Sequence, residues 1–465
     1  MTRPTDPTHT PRRVRASAKE LRSGGLFPQL LRIYHDSLAR TSGLIVVTIT
    51  VTAVLGFGYW IVAARAYSAG AVGTAAVSIS AMVMANLLSI LGVEAALIQR
   101  IPSRALGHQW DVTVTSSLLV AGSSGLAAGF LGWRVIVLVL HAASLRNPLY
   151  GLALTAGVGL TNCGSVLDSV WVVEQSTQIR LLTNTVMSVV KLPLLLLPIF
   201  RSDGAVGIQL SWTVSLVIAV GLGLALLHRR QGYRPRLTGL RREVRSVRGS
   251  MAGNYIVTIG AAAPSYVVPI LVGTLVSLAN TAYFYSAWRV GSFFFVGGLA
   301  VSTALFAEQS RNPDRAIQRA RQALRLIVPL LVLATAGMAV IGGPFLSAFG
   351  PEYRDHALLL LLLLVGTAVP DALNIVYLTT LLVQRRYVQA SCFIWSLATA
   401  QIVLTLILVR ALGIDGAGVA WLLSECLGVL IQAVERVLRG RPRGPQRGSP
   451  SHRTAEEGLN DGPAG

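Results

Sequence analysis

The chain has 465 residues, of which 53% are hydrophobic and only 13% are charged. Soluble domains carry about 25% charged residues, and a mean hydropathy of +0.60 leaves more apolar surface than one globular core can bury, which excludes a wholly soluble protein. The net charge of +20 would suit a nucleic-acid-binding protein. The arginines flank apolar runs instead of forming one basic domain, so no nucleic-acid partner is predicted.

The N-terminal segment is basic and is followed by twelve apolar runs. It lacks the compact apolar core of a signal peptide, so we predict a retained basic tail over 1–41 that contains a candidate interfacial helix. A helix needs about 20 apolar residues to cross a hydrocarbon core of about 30 Å. The predicted membrane spans are 42–64, 72–98, 112–133, 148–172, 179–200, 205–227, 251–276, 279–306, 326–349, 357–383, 388–409 and 416–438.

The spans fall into two groups on either side of a basic segment, 229–250. We therefore predict an all-α polytopic membrane protein with a first six-helix lobe, 42–228, and a second six-helix lobe, 251–438. The segment between them is either a plain positively charged cytoplasmic linker or a helix lying on an anionic leaflet. The tail 439–465 is rich in Arg, Pro and Gly and is predicted to be disordered and cytoplasmic.

The two groups of spans also match each other. A shift of 209 residues carries the stretch SAGAVGTAAVSISA, which starts at Ser68, onto SLANTAYFYSAWRV, which starts at Ser277. The match lies in hydropathy and length and only slightly in identity. Two similar halves are typical of transporters that rock about a central cavity.

Orientation follows from the distribution of arginine and lysine. The two termini and the loops after even-numbered spans, counted together with Arg180 and Arg436 at the adjoining span ends, contain 32 of these residues, whereas the loops on the other side contain 6. Because positively charged loops stay in the cytoplasm, both termini are predicted to be cytoplasmic. The expected location is a bacterial inner (cytoplasmic) membrane, which the chain crosses many times.

The loops offer little for catalysis. Those on the predicted outer side are short, and the first, RAYSAGA, lacks the acidic residue expected of polyprenyl-sugar glycosyltransferases. The sequence contains no nucleotide-binding G-x-x-x-x-G-K-[ST] motif and no histidine pair at metal-binding spacing. We therefore predict no catalytic residue, no cofactor and no metal site, and we do not expect an enzyme.

Five charged residues stand out inside the predicted spans, away from most of the span ends, where a charge is costly and usually faces a cavity or another charge. Lys191 and Arg289 form a candidate clamp for an anionic head group such as a pyrophosphate. The alternative is that Lys191 pairs with Asp168, and Arg289 with Asp371 or Glu425, to hold helices together. Asp371 is also a candidate for coupling to a proton or another cation.

The seventh span, GNYIVTIGAAAPSYVVPILVG, is the most interrupted of the twelve. Pro264 and Pro269 each remove a main-chain hydrogen bond at membrane depth. A kinked helix there would place Asn254 and Tyr266 for gating or for polar contacts in a cavity. The alternative is a static kink.

Several stretches resemble a known family. The second span, in AYSAGAVGTAAVSISAMVMANLLSILGVEAALIQRIP, resembles that of the Wzx-like polysaccharide and lipopolysaccharide flippases of the MATE-like MOP superfamily. The seventh span, the stretch NTAYFYSAWRVGSFFFVGGLAVSTALFAEQSR and the FGPEY turn are similar to that family too. The resemblance implies two lobes in a V-shaped bundle and a role for cavity cations, which we carry onto Lys191 and Arg289 by position and chemistry only.

What the resemblance implies for function is transfer of an undecaprenyl-diphosphate-linked oligosaccharide from the cytoplasmic to the outer leaflet by alternating access. Membrane lipids, a glycan polymerase and glycosyltransferases are the implied partners. Two other functions stay open. One is a drug or metabolite cation antiporter of the MATE type, and the other is a non-transporting scaffold for glycan enzymes.

Overall fold

The computed structural model describes residues 37–90, 92–101, 107–140, 142–201, 204–237, 252–295 and 313–440. The regular elements in these ranges are helices, apart from turns and one short 3-10 segment, Ala143–Arg146. Most of both predicted tails and most of the linker lie outside the described residues. The α-helices are α1 Ser37–Ala66, α2 Ala69–Ser89, α3 Val93–Arg100, α4 His108–Leu140, α5 Pro148–Val173, α6 Thr177–Leu196, α7 Pro198–Arg201, α8 Ala205–Gln231, α9 Ala252–Leu275, α10 Leu278–Gly291, α11 Pro313–Ser347, α12 Pro351–Gly366, α13 Ala368–Val383, α14 Tyr387–Leu412 and α15 Ile414–Gly440.

Ten helical segments of the described chain are long and apolar enough to cross a membrane. Two of the twelve predicted spans are not among them. Helix α5 has 26 residues and includes Asn162, which is fully buried inside the bundle, and α10 has 14 described residues. The prediction of a polytopic all-α membrane protein is confirmed.

The sequence repeat recurs in the helix boundaries. The shift that relates Ser68 to Ser277 also carries the start of α2 onto the start of α10, and both ends of α8 onto those of α15. The helix caps repeat as well, because the Ser68 side chain accepts the N–H of Ala71 and the Ser277 side chain accepts the N–H of Asn280. A serine at this position satisfies one of the free N–H groups at a helix start. These described helix starts and caps agree with the internal repeat.

The helix breaks in the described chain lie outside the seventh predicted span. Helix α9 runs unbroken through Pro264 and Pro269, because each proline removes one hydrogen bond while the flanking turns keep theirs. The tenth predicted span is instead divided at Thr367 into α12 and α13. The fifth predicted span ends early, at Leu196, before Pro198 begins the short α7.

The two halves contact each other mainly through α2, which lies against both α9 and α10. An added Cβ at Gly73 would lie 1.6 Å from the carbonyl oxygen of Leu278, so only glycine permits this approach of α2 to α10. Near the start of α2, Arg65 donates from Nε to the Ala348 carbonyl (2.9 Å) and from a terminal nitrogen to the Ser347 carbonyl (2.6 Å). We call this side of the bundle the Arg65 end.

The opposite side of the bundle, which we call the Tyr233 end, holds the first residues of the linker. Gly232, with φ of 67°, ends α8 in a left-handed conformation that glycine adopts without strain. The Tyr233 hydroxyl then bonds Thr115 (2.9 Å), and burial raises the pKa of that hydroxyl. Asp111 accepts from the Arg234 N–H and from Arg236 Nε, both at 3.2 Å. These bonds attach the first residues of the linker to α4, and we call them the linker clamp.

Replacing Asp111 by asparagine is expected to weaken this clamp. The substitution removes the ion pair with Arg236, whose side chain is 41% exposed, so we expect a loss of about 1 kcal/mol in the free energy of unfolding. Thermal unfolding of the detergent-solubilised protein measures it. Asp355→Asn, at an exposed carboxyl, is the matched control, and equal melting temperatures for the two variants would contradict the clamp.

Candidate functional site

One face of α1 brings the two halves together. Gly56, Tyr59 and Trp60 follow the spacing i, i+3 and i+4, so they lie on the same side of the helix. The Tyr59 hydroxyl bonds the first half, donating to the Ile208 carbonyl (3.1 Å) and lying 3.0 Å from the Ser211 hydroxyl. Trp60 contacts the second half, with its ring 4.6 Å from that of Tyr285.

Lys191 lies against this face and is covered by aromatic rings. Its Nζ atom is 4.2 Å from the centre of the Trp212 ring and 4.9 Å from that of Tyr59. The residue is 4% exposed, and no carboxylate pairs with it among the described residues. Ring faces attract a cation but compensate only part of the solvation that a buried charge loses. The ammonium therefore lacks an anion within the described part of the chain.

Arg289 brings a second cation to the same place from α10. Its guanidinium lies 5.7 Å from the centre of the Tyr285 ring and approaches α1 closely enough that an added Cβ at Gly56 would be 3.3 Å from it. Arg289 lies within electrostatic reach of Lys191 and of Tyr266. We call Lys191, Arg289 and the rings of Tyr59, Trp212 and Tyr285 the cation site.

The acidic residues lie elsewhere. Asp168 on α5 accepts from Arg180 Nε (3.2 Å) and from the Asn184 amide (3.1 Å), both on α6. Glu94 lies within electrostatic reach of Asp168 and Arg180. Lys191 therefore does not pair with Asp168 in the described structure. The Asp168 carboxylate forms an ion pair with Arg180 instead, and this pair connects α5 to α6.

Asp371 and Glu425 lie together in a cavity of about 340 Å³ within the second half. A Glu425 carboxylate oxygen accepts from the Asn374 amide (2.6 Å), whose oxygen accepts in turn from Gln432 (2.6 Å). No ion pair joins Arg289 to either acid within the described part of the chain. The sequence therefore identified both acids but not their common cavity.

The internal repeat places equivalent tryptophans beside two cavities. Trp212 borders a cavity of about 170 Å³ in the first half, and Trp421, onto which the repeat shift carries it, borders the larger cavity in the second half. Each is followed three residues later by a serine that donates to the tryptophan carbonyl, Ser215 in one half and Ser424 in the other. The two cavities are therefore counterparts.

The gating residues that the sequence suggested have different outcomes. Tyr266 lies near Arg289, and Pro264 lines the larger cavity. Pro269 is buried, and the side chain of Asn254 lies outside the described residues. Gating itself stays a prediction. Sequence reasoning missed the aromatic residues of the cation site, Tyr59, Trp212 and Tyr285, because an aromatic residue inside an apolar run is not distinguished from its neighbours by hydropathy.

Comparison of the whole fold with solved structures finds membrane transporters. The structure of the lipid II flippase MurJ in an inward closed conformation has a TM-score of 0.68 at 11% identity and covers 84% of this chain and 87% of its own. A multidrug resistance MATE family transporter of the MOP superfamily in an inward-facing conformation has a TM-score of 0.64 at 14% identity, covering 83% and 94%. An outward-facing MATE structure has a TM-score of 0.60 at 14% identity, covering 87% and 95%.

No family model matches the chain, and no curated protein matches its sequence. Because the identities are so low, what this chain shares with MurJ and the MATE transporters is the fold. The chain is therefore a polytopic all-α membrane protein whose fold is similar to that of the MurJ flippase and the MATE transporters. The resemblance seen in the sequence is confirmed at that level.

Proposed function

We propose that this protein moves an undecaprenyl-diphosphate-linked oligosaccharide from the cytoplasmic to the outer leaflet by alternating access, in the assembly of a surface polysaccharide or lipopolysaccharide. The observation that carries the proposal is the cation site. Lys191 from the first half and Arg289 from the second lie near each other with no carboxylate partner among the described residues.

A diphosphate has the charge that this site lacks. Phosphate oxygens accept charge-assisted hydrogen bonds from ammonium and guanidinium groups, which are stronger than neutral ones and favour a site away from water. The two cations belong to different halves, so an anion between them would offset their mutual repulsion. A bound head group would therefore favour closure of the halves around it.

The shape of the molecule agrees with loading from the cytoplasm. The halves are joined at the Arg65 end by the two hydrogen bonds of Arg65 and by the contact at Gly73. With both termini in the cytoplasm, as the charge distribution predicts, the Arg65 end faces outward.

A cation antiporter of the MATE type is the second candidate. It is favoured by the cavity that holds Asp371 and Glu425, because two acids without a described cationic partner suit a proton, a metal ion or an organic cation. In such a protein the acidic cavity, and not the cation site, would carry the substrate. Variants in the two places therefore distinguish the candidates.

The test is transport by the purified full-length protein in proteoliposomes. A fluorescent polyprenyl-diphosphate-linked saccharide is placed in both leaflets, and dithionite added outside reports how fast the inner pool reaches the outer leaflet. We expect rapid exchange with this lipid and no exchange with a fluorescent phosphatidylethanolamine. Proton- or sodium-driven ethidium uptake, with no exchange of the saccharide lipid, would overturn the proposal in favour of the antiporter.

A cellular measurement addresses the partners. If the protein serves glycan assembly, its deletion is expected to leave lipid-linked oligosaccharide on the cytoplasmic leaflet, where glycosyltransferases build it, and to deprive a polymerase of substrate. The lipid-linked pool and the surface glycan are both measured in the deletion strain. An unchanged surface glycan would contradict this role.

A further inference from the structure

The cavity of the second half contains two polar atoms that lack a partner among the described residues. One is the amide nitrogen of Gln401, a residue only 2% exposed, and the other is Oδ2 of Asp371. Both residues line the cavity of about 340 Å³. Buried polar groups are nearly always hydrogen-bonded, so this open donor and this open acceptor need a group that both accepts and donates.

The orientation of Gln401 decides what kind of ligand fits. The Ser424 hydroxyl donates to the Gln401 side-chain oxygen at 2.5 Å, which leaves the amide N–H₂ group as the free end. An N–H₂ group is a donor and is no ligand for a metal ion. A hydroxyl group, in contrast, can accept from Gln401 and donate to Asp371.

Aromatic rings form the apolar wall of the same cavity. Trp421 and Trp288 lie 4.1 Å apart between ring centres, and Phe295 lies parallel to Trp421 within 13°. Flat apolar walls with a few convergent polar groups are typical of small-molecule sites. The C–H faces of a sugar ring pack on such rings while its hydroxyl groups bond at the edge.

The internal repeat relates this cavity to the cation site. Helix α6 begins at Thr177 and α14 at Tyr387, so these helix starts differ by 210 residues, one more than the repeat shift of 209. Counted from the start of its own helix, Lys191 has the same position as Gln401. The cation site thus has a lysine beside its tryptophan, and the second cavity has a neutral amide at the same place. Helix α10 contributes to both sites, because Arg289 belongs to the cation site and the preceding residue, Trp288, lines the cavity of the second half.

We propose that the cavity of the second half is a carbohydrate subsite, in which Gln401 donates to, and Asp371 accepts from, hydroxyl groups of a saccharide ring packed on Trp421. This rests on the proposed function, since the saccharide is the part of the lipid-linked substrate next to the diphosphate. The subsite gives the protein a means to prefer glycosylated lipid over bare polyprenyl diphosphate.

The experiment compares equilibrium binding of two probes to the full-length protein in nanodiscs: farnesyl diphosphate and farnesyl-diphosphate-linked N-acetylglucosamine. We expect the wild type to bind the saccharide probe about tenfold more tightly, the effect of one or two hydrogen bonds. Gln401→Met, which matches glutamine in length, and Asp371→Asn are each expected to lose that preference while affinity for farnesyl diphosphate is kept. Thermal unfolding and gel filtration check that each variant is folded.

The outcomes separate the subsite from the function on which it rests. If the wild type binds neither probe, the proposed function fails. If it binds both equally, or if Gln401→Met and Asp371→Asn both keep the preference, the subsite is wrong and the diphosphate function stands. If sodium or a lower pH changes probe binding through Asp371 while Gln401→Met is without effect, the cavity is a cation site, which also overturns the subsite.

Discussion

Replacing Lys191 by methionine is expected to abolish most transport while making the protein more stable. The ammonium is buried against two aromatic rings and has no described carboxylate partner, so its removal eliminates a buried charge that costs solvation energy. Replacing buried charged groups by apolar groups of similar size often increases stability. We expect the free energy of unfolding to rise by about 1–2 kcal/mol.

The loss of transport follows from the same charge. A charge-assisted hydrogen bond to a phosphate contributes about 1.5–3 kcal/mol, so the affinity for the diphosphate should fall about tenfold to a hundredfold. Arg289→Met is expected to act in the same direction. Affinity is measured with farnesyl diphosphate, stability by thermal unfolding, and transport in proteoliposomes.

The matched control for both cations is Arg410→Met, because Arg410 is an exposed cation in the last turn of α14, away from the cation site. It should leave transport and affinity unchanged. Wild-type transport by a well-folded Lys191→Met, Arg289→Met double variant would show that the cation site does not bind the head group. A fall in stability in Lys191→Met would show that the ammonium is not an uncompensated buried charge.

Replacing Gly73 by alanine is expected to force the two halves apart at the Arg65 end. The new Cβ would lie 1.6 Å from the Leu278 oxygen and 2.6 Å from its carbonyl carbon. These are backbone atoms and cannot rotate away, so α2 and α10 must separate by roughly 1 Å or more, as the contact requires about 3 Å or more. Alanine would otherwise favour the helix by about 1 kcal/mol relative to glycine.

The separation is measured between spin labels on Leu149→Cys and Asp355→Cys, two exposed positions at the Arg65 end in different halves. Cys163, Cys392 and Cys426 are replaced by alanine beforehand. Gly70→Ala is the control, because an added Cβ at Gly70 meets no atom within 4 Å. We expect longer distances and slower transport with Gly73→Ala alone. Identical distance distributions in the two variants would contradict a close α2–α10 contact as part of closure.

The two cavities and the internal repeat suggest how similar halves could bind different parts of one substrate. Trp212 and Trp421 are equivalent by the repeat shift, yet the Trp212 ring lies against the Lys191 ammonium, whereas Trp421 lines a cavity together with the neutral Gln401. A change of one residue per half thus gives one charged and one neutral site on the same scaffold. This division fits a substrate with an anionic part and a neutral polar part.

The sequence by itself determined the class of protein and much of its plan. Apolar runs longer than about 20 residues have no other solvent than lipid, and helix length follows directly from them. The repeat could be recognised because equivalent helices must start at equivalent places, as Ser68 and Ser277 now show. Lys191 and Arg289 could be singled out because a charge inside an apolar run is rare.

Only the tertiary structure decided which of these charges meet. Hydropathy places a residue at a depth along its helix but does not say which way it points or which helix lies opposite, since nearly all faces of these helices are apolar. Asp168 therefore lies with Arg180 and not with Lys191, and Asp371 shares a cavity with Glu425 and Gln401. Those pairings depend on helix rotation and packing, which are set by contacts between residues far apart in the chain.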